Sequence, residues 1–365
     1  MYILLIFNCL YFFLNLIFIF TGLKMTKNKV KNLSLKNSKL TIIIPVRNEQ
    51  DNILNLLEDL NKQSYPFNNF EVIIANDGST DSTEKIVLAF QEVAQYDLKL
   101  LNILNENGSS PKKRAIQKSI EISSGELIIT TDGDCRVNEN WLTSIENLYK
   151  LKETKLISSA VTFIDEKSLW NTFQIVEFAS LIGSGACAMY LKKPNMCNGA
   201  NIAYTREVFE EVNGFAGNEH LASGDDEFLM HKIAKLYPDK VIFNPDKNAI
   251  VYSKSQPDFQ QFFHQRKRWA SKWKHYKDWI VIVLALFIFS VNFGMIYSLF
   301  TLNYLNLILK CLPEFVFLCL IASYLGHKDK IKYISVIQLI YPFYVVFFGL
   351  ISQGKGYIWK GRKLS

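Results

Sequence analysis

The 365 residues include only six cysteines and five histidines, and neither kind is spaced as a metal-binding cluster requires. Cys9, Cys135, Cys187, Cys197, Cys311 and Cys319 stand singly, some of them inside apolar runs, and are expected to be free thiols in a reducing compartment. His220, His231 and His264 show no ligand spacing either and read as ordinary surface or core histidines. No Gly-x-Gly-x-x-Gly follows the first strand-like run; Pro45-Val46-Arg47-Asn48-Glu49 holds that place, which excludes a nicotinamide-dependent dehydrogenase. No repeat, low-complexity tract or Gly/Ser linker interrupts the middle of the chain. The net charge of +7 does not point to nucleic acid, because many basic residues adjoin apolar runs, where anionic headgroups attract them.

Apolar sequence is abundant: 49% of residues are hydrophobic and 14% aromatic, concentrated toward the two ends. Residues 2–23 are almost wholly apolar, long enough for a helix to cross a bilayer, and Lys24, Lys27, Lys29 and Lys31 follow. Because the charges come after the apolar run and no small-residue cleavage site follows, the segment reads as an anchor rather than a cleaved signal. The lysines are then cytoplasmic and the N-terminus outside. Apolar runs at 279–302, 305–325 and 334–351 predict two or three further membrane helices. If all three cross, Lys355, Lys360, Arg362 and Lys363 end outside, against the positive-inside tendency, which leaves room for a re-entrant or interfacial segment. Lys310 and Glu314 interrupt the middle run. The expected order is an anchor at 1–23, a polar tether at 24–39, a cytoplasmic domain at 40–278, a membrane region at 279–353 and a basic tail at 354–365.

In the middle section, strand-like runs at 40–45, 70–75, 98–104 and 126–131 alternate with helical patterns at 50–63, 82–94 and 112–123. That alternation predicts an α/β domain with a mostly parallel sheet covered on both faces. Ligands of such sheets gather beyond the carboxyl ends of the strands, and the polar loops fall there: Arg47-Asn48-Glu49, Asn76-Asp77-Gly78-Ser79-Thr80-Asp81 and Asp132-Gly133-Asp134.

Asp132 and Asp134 are hard oxygen donors suited to Mg²⁺ or Mn²⁺ bridging to a diphosphate, and Gly133 allows close approach. Gly78 suits a turn and Asp81 a helix cap, while Asp77 is placed to accept hydrogen bonds from a nucleobase or ribose. Lys112, Lys113 and Arg114 open a helix against its macrodipole, which an anion such as a diphosphate relieves; a solvated basic face is the plain alternative. Gly199, Ala200 and Asn201 form either a turn or a close approach to a sugar. Asp225, Asp226 and Glu227 precede a helix, where mutual repulsion suits one of them to general-base work. Gln265, Arg268 and Trp269 lie in an aromatic, basic helix that on composition reads as interfacial.

Taken in order, Ile43-Ile44-Pro45-Val46-Arg47-Asn48-Glu49, Asn76-Asp77-Gly78-Ser79-Thr80-Asp81, Asp132-Gly133-Asp134, Gly199-Ala200-Asn201, Gly224-Asp225-Asp226 and Gln265-x-x-Arg268-Trp269 resemble the family 2 glycosyltransferases, over residues 40–269. The resemblance implies a GT-A fold, a Rossmann-like mixed sheet flanked by transmembrane helices. It implies a nucleotide-diphospho-sugar donor (UDP- or GDP-sugar) and a lipid or glycan acceptor at the membrane. It assigns donor binding to Pro45, Arg47, Asn48, Glu49, Asn76, Asp77, Lys112, Lys113 and Asp132, and the metal to Asp132 and Asp134. Asp226, with Asp225 beside it, takes the place of the catalytic aspartate, and Gly199, Ala200, Asn201, Gln265, Arg268 and Trp269 serve diphosphate and acceptor. Many relatives carry an aspartate where Asn76 stands. One direct displacement with Asp226 as base inverts the anomeric centre; retention needs a second carboxylate nucleophile, for which there is no independent candidate. A processive polysaccharide synthase shares the Gln-x-x-Arg-Trp motif, and a non-catalytic membrane scaffold keeps the fold without the chemistry.

Overall fold

The computed structural model describes residues 2–27, 37–103, 110–219, 221, 224–271, 279–351, 357–359 and 362–364. His220, Lys29, Lys31 and most of the tether, and Lys355 and Lys360 of the basic tail lie outside the described residues. In chain order the elements begin with α1 (Tyr2–Lys27), β1 (Leu40–Val46), α2 (Ile53–Leu60), β2 (Phe70–Asn76), α3 (Thr83–Gln91), β3 (Asp97–Asn102), α4 (Pro111–Ile122) and β4 (Leu127–Thr130). There follow α5 (Trp141–Lys152), β5 (Leu156–Ser159), β6 (Val161–Phe163), α6 (Leu169–Tyr190), β7 (Ile202–Thr205), α7 (Arg206–Glu211) and α8 (Glu227–Leu236). The remainder is β8 (Val241–Asn244), β9 (Val251–Ser253), α9 (Phe259–Ser271), α10 (Trp279–Phe300), α11 (Tyr304–Tyr324), α12 (Ile331–Ile351), β10 (Tyr357–Trp359) and β11 (Arg362–Leu364).

The chain packs as two compact units. One, the sheet unit, comprises Asn28–Ile164 and Ala188–Lys254. Its main sheet has the order β3-β2-β1-β4-β7-β5-β8. β1, β2, β3 and β4 run parallel, whereas β7 is antiparallel to both β4 and β5. The sheet is therefore mixed. β1 and β2 are rich in β-branched residues and covered on both faces, so Ile42, Ile43, Ile44, Val72, Ile73 and Ile74 are all sealed from solvent. Each such side chain contributes about 1.5–3 kcal/mol by leaving water.

Pro45 sits inside β1 without breaking it. Thr131 N–H donates to the Ile43 carbonyl on the β4 side, and Asp77 N–H to the Val46 carbonyl on the β2 side. Residues 43 and 45 share a side, so Pro45 lacks its N–H on the β4 side, past the last paired residues Ile43 and Thr130. At the opposite end of the sheet, the buried Glu71 carboxylate accepts from Thr41 Oγ1 (2.6 Å), Lys99 Nζ (2.5 Å) and the backbone N–H and hydroxyl of Ser124 (2.5 and 2.8 Å). Burial alone raises its pKa, but these donors outweigh burial and take it down to about 2.

The other, the helical unit, comprises Met1–Lys27, Asp165–Cys187 and Ser255–Ser365. This grouping differs from a linear cut at residue 278, since most of α6 and all of α9 pack with the apolar helices. Among the described residues, five helices are long and apolar enough to cross a membrane: α1, α6, α10, α11 and α12. α6 is mostly covered by its neighbours, while few residues of α1 are buried. Val176, Leu318, Ile334 and Ile337 form a buried cluster of α6, α11 and α12. Gly183 lets α6 and α11 approach: a methyl there would stand 2.6 Å from Ile321 Cγ1. Within α11, Lys310 Nζ lies 2.6 Å from Glu314 Oε2, both buried, and Gln338 of α12 donates to the same Glu314 oxygen (3.3 Å) and to the Cys311 carbonyl (3.0 Å).

Candidate active site

The loops after β1 and β2 are joined side to side. Arg47 Nη1 donates to the carbonyls of Asp77 (2.6 Å) and Gly78 (2.9 Å), Asn48 N–H donates to Ser79 Oγ (3.0 Å), and Asn48 Oδ1 accepts from Thr80 N–H (2.8 Å). Asn48 and Gly78 have left-handed backbones, φ 54° and 63°, which Asn and Gly tolerate best. Glu49 N–H donates to Thr83 Oγ1 (2.8 Å), and its carboxylate accepts from Asn52 (2.7 Å). Asn76 is a brace: Oδ1 accepts Ser79 N–H (3.0 Å) and Nδ2 donates to Asn102 Oδ1 (2.8 Å). Asp81 accepts from Thr83 N–H (3.0 Å) and Oγ1 (2.6 Å) at the start of α3 and from Gln50 N–H (3.1 Å). Those donors outweigh the effect of burial and lower its pKa.

Asp77 is buried, and Arg114 Nη2 lies 3.1 Å from its Oδ1. The sequence marks Arg114 only as part of a basic helix start, because an ion pair between positions 37 residues apart has no local signature. Its neighbours on α4 diverge. Lys112 Nζ lies 2.7 Å from Asp132 Oδ1 and 3.5 Å from Asp225 Oδ2. Lys113 is buried, donates to the Asn218 carbonyl (2.6 Å) and lies over the Phe228 ring. Of the two lysines expected to face a diphosphate, Lys113 is therefore used by the fold. Burial by itself lowers the pKa of Lys112, but Asp132, Asp225 and Asp226 prevail and hold it above the usual lysine value, so the ammonium is charged at neutral pH.

Gly199 closes the same cluster. Its N–H donates to Asp226 Oδ2 (2.8 Å), and Thr130 Oγ1, at the end of β4, donates to its carbonyl (2.8 Å). A methyl at 199 would lie 2.9 Å from Asp225 Oδ2 and 3.3 Å from Lys112 Nζ. Asp226 caps α8 by accepting Glu227 N–H on Oδ1 (2.7 Å). Both oxygens are thus oriented by backbone amides. Lys112, Asp132, Gly199, Asp225 and Asp226 meet although they come from four separate stretches of chain. Ala200 N–H donates to Asn198 Oδ1 (2.9 Å). Asn201 corrects an expectation: it is fully buried, with Nδ2 on the carbonyls of Ala160 (2.8 Å) and Ala249 (2.7 Å) and Oδ1 accepting from Trp141 Nε1 (3.1 Å), so it ties the β5–β6 junction, the turn before β9 and α5 together rather than facing an acceptor.

Asp134 accepts from Ser253 Oγ (3.2 Å), and Gly133 is packed beside Val46 and Glu49. Among the described residues, no three His, Cys, Asp or Glu side chains form a ready metal cluster. Magnesium-type ions at diphosphates commonly take one or two carboxylates and complete their shell with phosphate and water. The donor set fits that pattern: Asp132 is 39% exposed at its side chain, and three carboxylates surround the single Lys112 ammonium. Gln265, Arg268 and Trp269 lie on α9 in the helical unit, all three partly exposed, with Trp269 packed on Phe178 at 5.7 Å between ring centroids.

Residues 41–212 match Glycosyl transferase family 2, and residues 127–350 match Glycosyl transferase family group 2. The chain is 29% identical over 187 residues to Glycosyltransferase AglE of Haloferax volcanii, covering 51% of this chain and 58% of that protein. It is 23% identical over 248 residues to the Beta-monoglucosyldiacylglycerol synthase of a Nostoc species, covering 67% and 51%. The chain thus spans less than two thirds of the length of either relative. Among solved structures, the mannosyltransferase PcManGT of Pyrobaculum calidifontis, in complex with GDP-Man and Mn²⁺, superposes with a TM-score of 0.60 at 16% identity, covering 92% of this chain and 98% of that one. That likeness gives the sheet unit a GT-A fold, and with a family match across more than half its length the chain belongs to the family 2 glycosyltransferases.

Proposed function

We propose that this chain transfers a glycosyl group, with inversion, from a UDP- or GDP-sugar to a lipid or glycan acceptor at the cytoplasmic face of a membrane. The observation that carries the reading is the meeting of Lys112, Asp132, Asp225 and Asp226 around the Gly199 backbone, at the strand ends where α/β sheets bind ligands. An ammonium charged at neutral pH beside Asp132 suits a leaving diphosphate, whose negative charge grows as the glycosidic bond to phosphate breaks. Asp132 and Asp134 would hold a divalent Mg²⁺ or Mn²⁺, which would supply Lewis-acid stabilisation of that diphosphate. Asp77, fixed by Arg114, and the joined loops of Arg47, Asn48, Glu49 and Asn76 accept the nucleoside. Asp226, aimed by two backbone amides, takes the proton of the acceptor hydroxyl as it attacks the face opposite the leaving group. The five helices of membrane-spanning length among the described residues, and the lysines Lys24 and Lys27 at the end of α1, support a membrane-bound acceptor.

The decisive variant is Asp226→Asn. Transfer of labelled sugar from a panel of UDP- and GDP-sugars should fall by roughly 10²–10⁴, as expected for loss of a general base. Calorimetric binding of the matching nucleotide with Mn²⁺ should stay within about twofold, since only transition-state stabilisation is lost. Full turnover by this variant refutes the base, and a product of retained anomeric configuration refutes inversion.

A further inference from the structure

The helical unit encloses an Arg–Glu pair that the roles above leave unused. Arg266 Nη2 lies 2.5 Å from Glu177 Oε2 and Nε 3.2 Å from Oε1, and the two side chains are 2% and 1% exposed. This is the two-point geometry in which a guanidinium and a carboxylate fix each other's plane. Tyr344 of α12 donates its hydroxyl to Glu177 Oε1 (2.9 Å), and Arg266 Nη1 donates to Gln265 Oε1. The guanidinium also lies between the rings of Phe262 and Trp269, 4.5 and 4.2 Å from their centroids, while Trp269 packs on Phe178, the residue after Glu177.

Stability alone is a weak reason to bury such a pair, because desolvation offsets most of the attraction and apolar residues of similar size serve as well. What the pair does supply is a fixed geometry, and all of it bears on the turns of α9 that carry Gln265, Arg268 and Trp269. We infer that Glu177 and Arg266 are positioning residues for sugar transfer: with Tyr344 they set the rotation of α9 and so the presentation of Gln265, Arg268 and Trp269 to the acceptor. This rests on the proposed transfer reaction. Neither residue touches the reacting atoms; Glu177 acts through Arg266, and Arg266 through the residues stacked on and bonded to it.

The test uses the full chain in detergent, with Glu177→Gln and the charge-free double variant Glu177→Leu with Arg266→Met. Three quantities are read: melting temperature, calorimetric affinity for UDP and GDP with Mn²⁺, and transfer from labelled UDP- and GDP-sugars into a washed membrane fraction of the expressing cells. The double variant should melt within a few degrees of wild type and bind nucleotide within about twofold, yet transfer at least about tenfold more slowly, with a raised apparent KM for acceptor. Wild-type transfer by the double variant overturns the positioning role, as does a loss of transfer matched by a loss of nucleotide binding in both variants, which marks a purely structural pair. A wild-type chain that neither binds nucleotide nor transfers sugar overturns the proposed function itself.

Discussion

A methyl group at residue 199 would stand 2.9 Å from Asp225 Oδ2 and 3.3 Å from Lys112 Nζ, inside the contact distance of both. Gly199→Ala should therefore part the ammonium from the carboxylates and slow transfer at least about tenfold, since small misplacements of catalytic groups are costly. The melting temperature should change by only a few degrees; equal turnover in the variant would show that the cluster tolerates the displacement. The acidic members of the cluster are legible because Asp132 follows an apolar strand and Asp225 and Asp226 precede an amphipathic helix. Their partners are not. Gly199 is ambiguous between a turn and a close approach until Asp226 is seen to accept its N–H. Arg114 and Asn201 owe their parts to residues 37 and up to 60 positions away, which no local pattern reveals.

Among the elements, the Glu71 network ties β1, β2, β3 and the turn before β4 into one block at the end of the sheet away from the candidate site. The folded pKa of about 2 lies below the unfolded 4.5, so this carboxylate stabilises the fold above pH 4.5 and loses that contribution as the pH falls from 4.5 toward 2. Allowing for solvent screening, the contribution is about 2 kcal/mol. Glu71→Gln should lower the melting temperature at pH 7, with the difference from wild type shrinking from pH 5 to pH 3; a difference independent of pH would place the effect in packing instead. Strand and helix positions follow from alternating apolar runs to within a few residues, because hydrophobic periodicity is a local property. The antiparallel insertion of β7 between β4 and β5 does not, because strand direction depends on long connections. α6 likewise looks like an apolar part of the middle section until its partners on α11 and α12 are known.

For the whole molecule, the sequence predicts anchors at the two ends and a domain between, whereas the packing draws residues from three separated segments into the helical unit. Hydrophobic length identifies α1, α10, α11 and α12 without their partners, since crossing a bilayer is a property of one helix; enclosure in a bundle is not. Lys310 and Glu314 bear on how that bundle is made. At the centre of a lone helix in lipid, each charge costs about 2.5–3.5 kcal/mol. Within α11 they neutralise each other, and Gln338, borrowed from α12, supplies a further donor. During synthesis α11 is completed before α12 exists, so it should linger at the translocation machinery and partition into lipid only as a hairpin with its successor. A chain stopped after residue 327 should leave α11 open to aqueous alkylation at Cys311, and extension through α12 should protect it; protection in the shorter chain would show that α11 enters alone.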